Sequence, residues 1–275
     1  GILPEVRFRE HRLALYVVKK GAKPFIEVAE GKITLDEFMS QLSDDDLIEL
    51  LGGQPNTGVA NTFGFGNLPD YGVPNIMTAG AEEVKENNIA VWLTPAVNIH
   101  RNPLCGRNFE YYSEDPLLAG KMAAGMVRGI QSQHIGASVK HFAANNKETN
   151  RKHSDSRVSE RALREIYLKQ FEIIVKESDP WTIMSSYNVI NGHRASENKE
   201  LLEDILRGEW GFRGMVTTDW WTRGEHYKEI KAGNDVKMAT GYPERVKKAM
   251  ELGEITRADL EHCARRVLEL ILKID

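Results

Sequence analysis

The residue types around Asp219, and their spacing, are those that covalent catalysis by a carboxylate needs. Asp219 directly follows Met215–Thr218, an apolar and β-branched run that is bounded by Gly214 and predicts a buried strand. A carboxylate at the carboxyl end of a parallel strand faces the region where α/β folds bind ligands. There it could attack the anomeric carbon of a sugar, and Trp220 and Trp221 offer flat apolar faces to a sugar ring. The alternative is structural, because an aspartate after a strand often caps the next helix, and the segment by itself favours neither.

Other polar residues follow other predicted strands, each at the carboxyl end of its strand. They are Arg107 in the loop after residues 91–97, Lys140 and His141 at the end of residues 135–141, and Tyr187 after residues 182–186. The carboxyl ends of parallel strands share one rim of a barrel, so these side chains and Asp219 should collect there. This distribution is typical of a barrel enzyme that holds a neutral, hydroxyl-rich ligand.

Each of these residues also has a structural interpretation. Arg107 could pair with Glu110 three residues later, and Lys140 with His141 could form a local hydrogen-bonding pair. Tyr187 could be a core residue whose hydroxyl is satisfied. The set favours a site more strongly than any member does, because all of its members fall on the same rim.

An alternation of strands and helices must position these residues. The predicted strands are 73–79, 91–97, 135–141, 182–186, 215–218 and 235–238, and the predicted helices are 33–51, 81–87, 116–133, 160–176, 199–207, 223–231, 243–252 and 259–273. Such alternation predicts a parallel sheet with right-handed crossovers. We expect an α/β fold, a TIM-like (β/α) barrel that is incomplete or irregular because about six units are clear. Residues 1–30 are a lead-in segment, residues 52–70 a loop, and residues 31–275 a single barrel domain.

Composition bounds the partners and the compartment. The 275 residues are 41% hydrophobic and 28% charged, with a formal net charge of −4 and no long basic run, which disfavours nucleic acid and anionic membranes as partners. No apolar run approaches the ~20 residues of a membrane span. Cys105 and Cys263 lie far apart, which fits a reducing compartment, so we expect a cytoplasmic location. His100, His141 and His153 lack ligand spacing, so neither metal nor organic cofactor is expected.

Four long motifs resemble one known family. They are GRNFEYYSEDP at 106–116, VKHFAANN at 139–146, MSSYN at 184–188 and LRGEWGFRGMVTTDWW at 206–221. In this order they resemble the barrel domain of glycoside hydrolase family 3, and most closely that of bacterial β-glucosidases, over nearly the whole chain from about residue 28. The resemblance implies retaining hydrolysis of terminal β-D-glucosyl residues in β-glucosides or oligosaccharides.

The resemblance also assigns expected roles to the rim. It implies that Asp219 is the nucleophile, that Trp220 lines the glucose site, and that the first sugar subsite is formed by Arg107, Lys140, His141 and Tyr187. The family's acid/base glutamate lies on a separate α/β sandwich domain that nothing in this chain resembles. A partner domain or a second subunit would then have to supply the acid. Glu110, Glu148 and Asp155 are candidates by loop position only, and we expect them to be structural.

One internal departure from the family pattern affects the same site. The family reads Met-Thr-Ala-Asp-Gly-Pro-Ala-Gly after its first strand, whereas here Met77-Thr78-Ala79 continues into Gly80 and Ala81. The aspartate that grips sugar hydroxyls is absent, and a block of sequence is missing after Ala79. The isolated chain is therefore expected to be a weak catalyst or inactive.

Two alternatives remain open. The chain could be an inactive or engineered barrel scaffold derived from this family, and calorimetry with glucose would separate a site that binds sugar from a bare scaffold. A less favoured alternative is a β-N-acetylglucosaminidase of the same family. Such enzymes use an Asp-Ser-His-type loop after the Lys-His strand, but residues 152–157 read KHSDSR, with histidine and aspartate in the opposite order.

Overall fold

A parallel β-sheet forms the centre of the fold. The computed structural model describes residues 22–53 and 73–274. Four strands pair in the order β1-β2-β4-β7, all of them parallel. A second, three-stranded sheet has the order β3-β5-β6. The strands are β1 Val91–Trp92, β2 Gly136–Phe142, β3 Asp155–Ser156, β4 Thr182–Ser185, β5 Val189–Ile190, β6 His193–Arg194 and β7 Met215–Thr218.

Isolated parallel bridges extend the main sheet. Val236 bridges Thr217 in β7, and Lys237 bridges Gly52 near the amino-terminal end of the described chain. Six chain segments therefore lie side by side in parallel, as a TIM-like barrel requires. Among the described residues the sheet stays open between Gly52 and Val91. The α/β barrel architecture predicted from the sequence is thus present in an incomplete form.

Helices surround the sheet and connect its strands. They are α1 Ile26–Ala29, α2 Leu35–Ser40, α3 Asp44–Leu50, α4 Val73–Glu86, α5 Pro116–Gln131, α6 Glu160–Ala162, α7 Lys169–Ser178, α8 His226–Lys231, α9 Pro243–Glu251 and α10 Arg257–Ile274. Two π-helical segments, Leu163–Tyr167 and Glu200–Glu209, and a 3₁₀ turn, Ala195–Glu197, complete the set. The start of α5 shows how sequence sets a boundary: Pro116 occupies the first turn, and the Asp115 carboxylate accepts a hydrogen bond from Leu117 N at 2.8 Å.

Two apolar clusters form the core. One packs α4, α5 and α7 against the main sheet, with Val127, Val139 and Ile183 among its buried members. The other joins α1–α3 to α8–α10, with Phe38 and Leu260 fully buried in it. The first cluster holds the strands that carry the rim residues, and the second ties the beginning of the described chain to its end.

The strand predicted at residues 73–79 is wrong, because this segment begins the helix α4, Val73–Glu86. Met77, Ala81 and Val84 are buried, and their spacing of four and three residues is that of one helix face. Gly80 lies so close to the Trp92 ring that an added Cβ would be 3.0 Å from it. The residues Ala79–Gly80–Ala81 do not interrupt the helical period. Helix α4 therefore continues past Ala79, where the family pattern has Asp-Gly-Pro and then a loop.

The single helix predicted at residues 33–51 is two helices, α2 and α3. Thr34 caps α2 in a capping box with Glu37. Ser43 forms a second capping box with Asp46, in which Ser43 N donates to the Asp46 carboxylate at 2.8 Å. This second start signal ends the first helix and redirects the chain, so the apolar residues of both helices still face one core.

The weak strand predicted at residues 235–238 is reduced to bridges. The Asp235 side chain, rather than a ladder partner, accepts a hydrogen bond from Val216 N at 2.7 Å and pairs with Arg207 and Arg266 at 2.9 and 3.0 Å. A buried carboxylate with two guanidinium partners fixes this position without a regular strand. Residues 1–21 of the predicted lead-in and residues 54–70 of the predicted loop lie outside the described residues.

Acid should destabilise the fold through His226, whose buried ring Nε2 lies 3.2 Å from Leu51 O and whose Nδ1 accepts from Tyr242 N at 3.1 Å. Burial, followed by Lys237, lowers the pKa of His226 from 6.5 to about 4. The unfolded chain therefore takes up a proton first as pH falls below about 6.5, and stability drops by about 2 kcal/mol between pH 7 and pH 5.

The variant His226→Gln keeps one donor and one acceptor but carries no titrating group. We expect its Tm to fall less steeply than that of the parent chain between pH 7 and pH 5, as measured by scanning calorimetry. The exposed His153, replaced by Gln, serves as the control for the loss of a histidine as such. If Tm fell equally steeply with pH in the parent chain and in His226→Gln, His226 would not be the source of the acid destabilisation.

Candidate active site

Asp219 lies at the carboxyl end of β7, within the barrel rim. Its backbone N–H donates to Ser185 O in the neighbouring strand at 3.1 Å, which fixes where the side chain leaves the sheet. Oδ1 accepts from Trp220 N at 2.7 Å, whereas Oδ2 is buried and forms no hydrogen bond within the described residues. The helix-cap interpretation is wrong, because the next helix begins at His226 and has Glu225 at its N-cap. The carboxylate therefore points one unpaired oxygen into the rim.

His141 faces this oxygen. Its Nε2 lies 3.7 Å from Asp219 Oδ2, and the ring is almost fully buried at 1% residue exposure. The ring of Tyr111 approaches it edge-on, with 6.3 Å between the centroids. Burial, with Arg107 and two further nearby cations, lowers the pKa of His141 well below its ordinary value. The imidazole is therefore neutral at physiological pH.

Arg107 and Lys140 share one carboxylate, that of Glu110. Arg107 Nε donates to Glu110 Oε1, and Lys140 Nζ lies 3.6 Å from Glu110 Oε2. Burial lowers the pKa of Lys140, while Glu110 and Asp219 oppose that shift. The predicted pairing of Arg107 with Glu110 is present, but it does not remove the arginine from the site, because its charge still acts on Asp219.

Tyr187 joins the same group through its hydroxyl. The hydroxyl donates to Trp220 O at 2.7 Å, and Arg151 stacks on the ring with its Cζ 4.6 Å from the centroid. Burial and the neighbouring Asp219 raise the pKa of Tyr187, so the phenol stays protonated. The structural interpretation made from the sequence is confirmed, because the hydroxyl is satisfied. Tyr187 also lies close enough to Asp219 to influence the pKa of that carboxylate.

The surroundings of Asp219 shift its pKa in opposite directions. Burial raises its pKa, whereas the Trp220 N–H, Arg107, Tyr187 and Arg151 each lower it. The net direction is upward, which is expected for a carboxylate with little solvent and one unpaired oxygen. A buried, incompletely hydrogen-bonded carboxylate oxygen beside cations is suited to stabilising or attacking a positive centre.

The structure adds side-chain contacts that the sequence did not predict. Arg151 stacks on Tyr187 and forms a 2.6 Å ion pair with Glu148, and Asn98 is bound to His141 by three contacts. Both lie in loops that the sequence placed on the rim, but no spacing pointed to their partners. Glu148 also accepts from Asn145 at 3.2 Å, so it is held in a local network, and Asp155 pairs with its neighbour Arg157 at 3.1 Å.

Within residues 22–53 and 73–274, no group of three or more His, Cys, Asp or Glu side chains has the arrangement of a metal site. In the same part of the chain, no helix combines the length and the apolar character that crossing a membrane demands.

The fold and the rim define a class: an α/β barrel domain whose site is centred on a buried carboxylate at the carboxyl ends of the strands. Residues 55–270 match the glycosyl hydrolase family 3 N terminal domain, which is most of the chain. The chain belongs to glycoside hydrolase family 3, as the four motifs indicated.

Relatives of known name agree on the family. Beta-glucosidase A of Butyrivibrio fibrisolvens is 54% identical over 94% of this chain, and an exo-alpha-(1->6)-L-arabinopyranosidase of Bifidobacterium longum is 50% identical over 83%. The chain covers only 36% and 30% of their respective lengths. It thus spans about a third of the curated relatives that it matches.

Solved structures show the same architecture. A β-glucosidase from Paenibacillus barengoltzii superposes with a TM-score of 0.85 at 34% identity, covering 99% of this chain and 37% of that one. β-Glucosidase 3B from Thermotoga neapolitana, in complex with glucose, gives a TM-score of 0.80 at 37% identity, with coverages of 86% and 42%. The TIM-like barrel domain is therefore shared with enzymes that are more than twice as long.

The alignment with the Butyrivibrio relative also reports an internal gap. It runs over 300 positions, although this chain has 275 residues and is 94% covered. About 259 residues of this chain lie within the alignment, so about 41 of its positions have no residue of this chain.

Proposed function

We propose that this chain is the nucleophile-bearing domain of a retaining β-glucosidase. The observation that carries the proposal is Asp219 Oδ2, a buried carboxylate oxygen that makes no hydrogen bond to the described residues and lies on the rim beside the buried polar side chains of His141 and Tyr187. Relatives named β-glucosidase share the domain, and their names supply the substrate class. An inactive or engineered scaffold remains the alternative, and sugar binding separates the two.

The geometry supports a double displacement. Asp219 Oδ2 attacks the anomeric carbon, forming a C–O bond while the bond from that carbon to the leaving oxygen breaks. A carboxylic acid outside this set protonates the leaving oxygen, and its carboxylate then takes a proton from the water that releases the sugar. Arg107 and Lys140 lie close enough to Asp219 to influence its pKa, and they are placed to bind sugar hydroxyls.

The source of that acid is proposed to be a companion domain or a second subunit. The chain covers about a third of its relatives, which leaves room in them for further domains. Within the described residues, Glu110 is occupied by Arg107 and Lys140, and Glu148 by Arg151. Neither carboxylate is placed as a free acid.

The isolated chain should hydrolyse cellobiose poorly but react once with 2,4-dinitrophenyl β-glucoside. Dinitrophenolate leaves without a proton, so the first step needs Asp219 alone, whereas cellobiose also needs the acid, which is worth about 10²–10⁴-fold. We expect a burst of one dinitrophenolate per chain followed by slow turnover, with azide accelerating the slow phase and giving β-glucosyl azide. Rapid cellobiose hydrolysis would show that the barrel supplies its own acid, and no burst would support the scaffold.

A second substrate class is favoured by one comparison. The Bifidobacterium relatives, at 50% identity, are named for an α-linked L-arabinopyranose, a pyranoside that lacks the hydroxymethyl group of glucose. The same burst measured with dinitrophenyl α-L-arabinopyranoside tests this candidate directly. A larger rate constant for the arabinoside than for the glucoside would assign the domain to that class.

A further inference from the structure

Asn98 holds both the backbone and the ring of His141. Asn98 Nδ2 donates to His141 O at 2.9 Å, and Asn98 Oδ1 accepts from His141 N at 2.9 Å. A carbonyl oxygen only accepts and a backbone N–H only donates, so these two bonds fix which end of the amide is oxygen. Asn98 is 1% exposed, so water does not compete for either end.

The same oxygen also faces the imidazole. His141 Nδ1 lies 3.3 Å from Asn98 Oδ1, which has no proton to give. A hydrogen bond at this position therefore requires the proton to be on Nδ1. In the neutral ring the other nitrogen, Nε2, then carries a lone pair.

The groups that face the ring keep it neutral. The cations Arg107, Lys140 and Arg151 and the burial of the ring lower the pKa of His141, and the Tyr111 ring covers one side. Asp219 is the one carboxylate recorded within ion-pair reach of the ring among the described residues, at 3.7 Å. This distance is too long for a hydrogen bond from a protonated Nε2.

We propose that Asn98 is a positioning residue that fixes the tautomer of His141, so that Nε2 presents a hydrogen-bond acceptor to the bound sugar. Nε2 and Asp219 Oδ2 are then two acceptors 3.7 Å apart, and Oδ2 has no donor from the described residues. The ligand must bring the donor. This inference rests on the proposed function. The ligand group bound between His141 Nε2 and Asp219 Oδ2 is a sugar hydroxyl that donates a hydrogen bond, and a substituent that can only accept is excluded from this position.

The expected loss of affinity for a ligand without this donor follows from leaving buried acceptors unpaired. A ligand that cannot donate at this point leaves Nε2 unsatisfied and places a second acceptor against Asp219. Loss of one such buried partner weakens binding by about 10- to 100-fold. Replacement of a hydroxyl by fluorine removes the donor while changing the size of the group little, so monodeoxyfluoro-glucoses are suitable probes.

The tautomer is measured first, on the full chain labelled with ¹⁵N-histidine. Long-range ¹H–¹⁵N spectra at pH 7.5, assigned by loss of the signal in His141→Gln, should show a pyrrole-type Nδ1 and a pyridine-type Nε2. Asn98→Ala should mix the tautomers, whereas Asn98→Asp keeps an acceptor and should retain the proton on Nδ1. Asn87→Ala, at the exposed end of α4, is the control and should change nothing. A pyrrole-type Nε2 in the parent chain would overturn the proposal.

The recognition is measured second, by calorimetry with glucose and the monodeoxyfluoro-glucoses. One fluorinated position should lose about 10- to 100-fold in affinity, and the loss at that position should shrink in Asn98→Ala, where Nε2 can donate. Equal losses in the parent chain and in Asn98→Ala would contradict the assigned role. If glucose itself does not bind while the tautomer is as expected, the proposed function fails and the assignment of Asn98 as the residue that orients His141 stands.

Discussion

Replacing Asp219 by glycine should abolish the burst with 2,4-dinitrophenyl β-glucoside and reverse the stereochemistry of the azide product. The parent chain forms a glycosyl–enzyme first, and azide then displaces Asp219, so two inversions give β-glucosyl azide. In Asp219→Gly azide occupies the space of the lost carboxylate and displaces dinitrophenolate directly, so one inversion gives the α-anomer. Without azide we expect a loss of at least about 10³-fold in the first step.

The anomeric configuration makes this test specific for a nucleophile. A residue that merely binds sugar would lose rate on substitution, but azide would still give the β-anomer. Asp204→Asn, on the exposed side of the π-helical segment, is the matched control and should keep both the burst and the product. Asp219→Asn should not lower Tm, because the change removes a buried charge whose Oδ2 has no hydrogen bond among the described residues. A β-azide product from Asp219→Gly would refute the assignment.

Replacing Lys237 by methionine should lower the free energy of unfolding by about 3–5 kcal/mol, because it leaves a buried carboxylate without its cation. Lys237 is 1% exposed, and its Nζ donates to Glu229 Oε2 at 2.6 Å, to Thr222 Oγ1 at 3.0 Å and to Gly224 O at 2.9 Å. Glu229 is fully buried and accepts on its other oxygen from Thr222 Oγ1 at 2.9 Å. Urea unfolding measures the loss.

The surface pair Lys248–Glu251, at 3.1 Å, provides the control for this effect. Both of its side chains are mostly exposed, so Lys248→Met should cost less than about 1 kcal/mol. The double variant Lys237→Met/Glu229→Leu should recover part of the loss, since it removes the unpaired charge as well. A cost below about 1 kcal/mol for Lys237→Met would show that the pair is not required for folding.

Lys237 also connects stability to the site. Its three acceptors include Thr222 and Gly224, which lie in the turn that follows Asp219 and Trp220. Lys237 itself extends from the segment that bridges Gly52. The turn that carries the proposed nucleophile is therefore anchored from the next barrel segment, by a lysine that lies outside the motifs that carry the family resemblance.

The sequence predicted best those features that depend on neighbouring residues. The strand Met215–Thr218 has the bounds expected from its β-branched run between Gly214 and Asp219. The convergence of His141 and Tyr187 on Asp219 followed from the rule that parallel strands share a rim. The first inference uses only the residue pattern within one segment, and the second uses only the parallel direction of the strands.

The features that the sequence missed depend on partners far along the chain. The alternation of elements along the sequence predicts a strand at residues 73–79, whereas the helical state of this segment depends on burying Met77 and Ala81 against α5. The hydrogen bonds that hold His141 come from Asn98, which lies 43 positions away along the chain, and no sequence spacing indicates such a contact. Side-chain networks of this kind are set by packing, which a single sequence does not display.

The second apolar cluster implies an order of events during synthesis. Phe38 and Leu47 lie in helices that leave the ribosome long before Leu260 and Leu268, with which they pack and which belong to the last described helix. Arg257 in that helix binds Asp44 at 2.5 Å and Leu42 O at 2.9 Å. Contacts between such distant segments form late and leave apolar surface open meanwhile. Until α10 emerges, we expect the apolar faces of α2 and α3 to be a target for a chaperone that binds exposed apolar surface. Release of these helices by the chaperone should coincide with completion of α10.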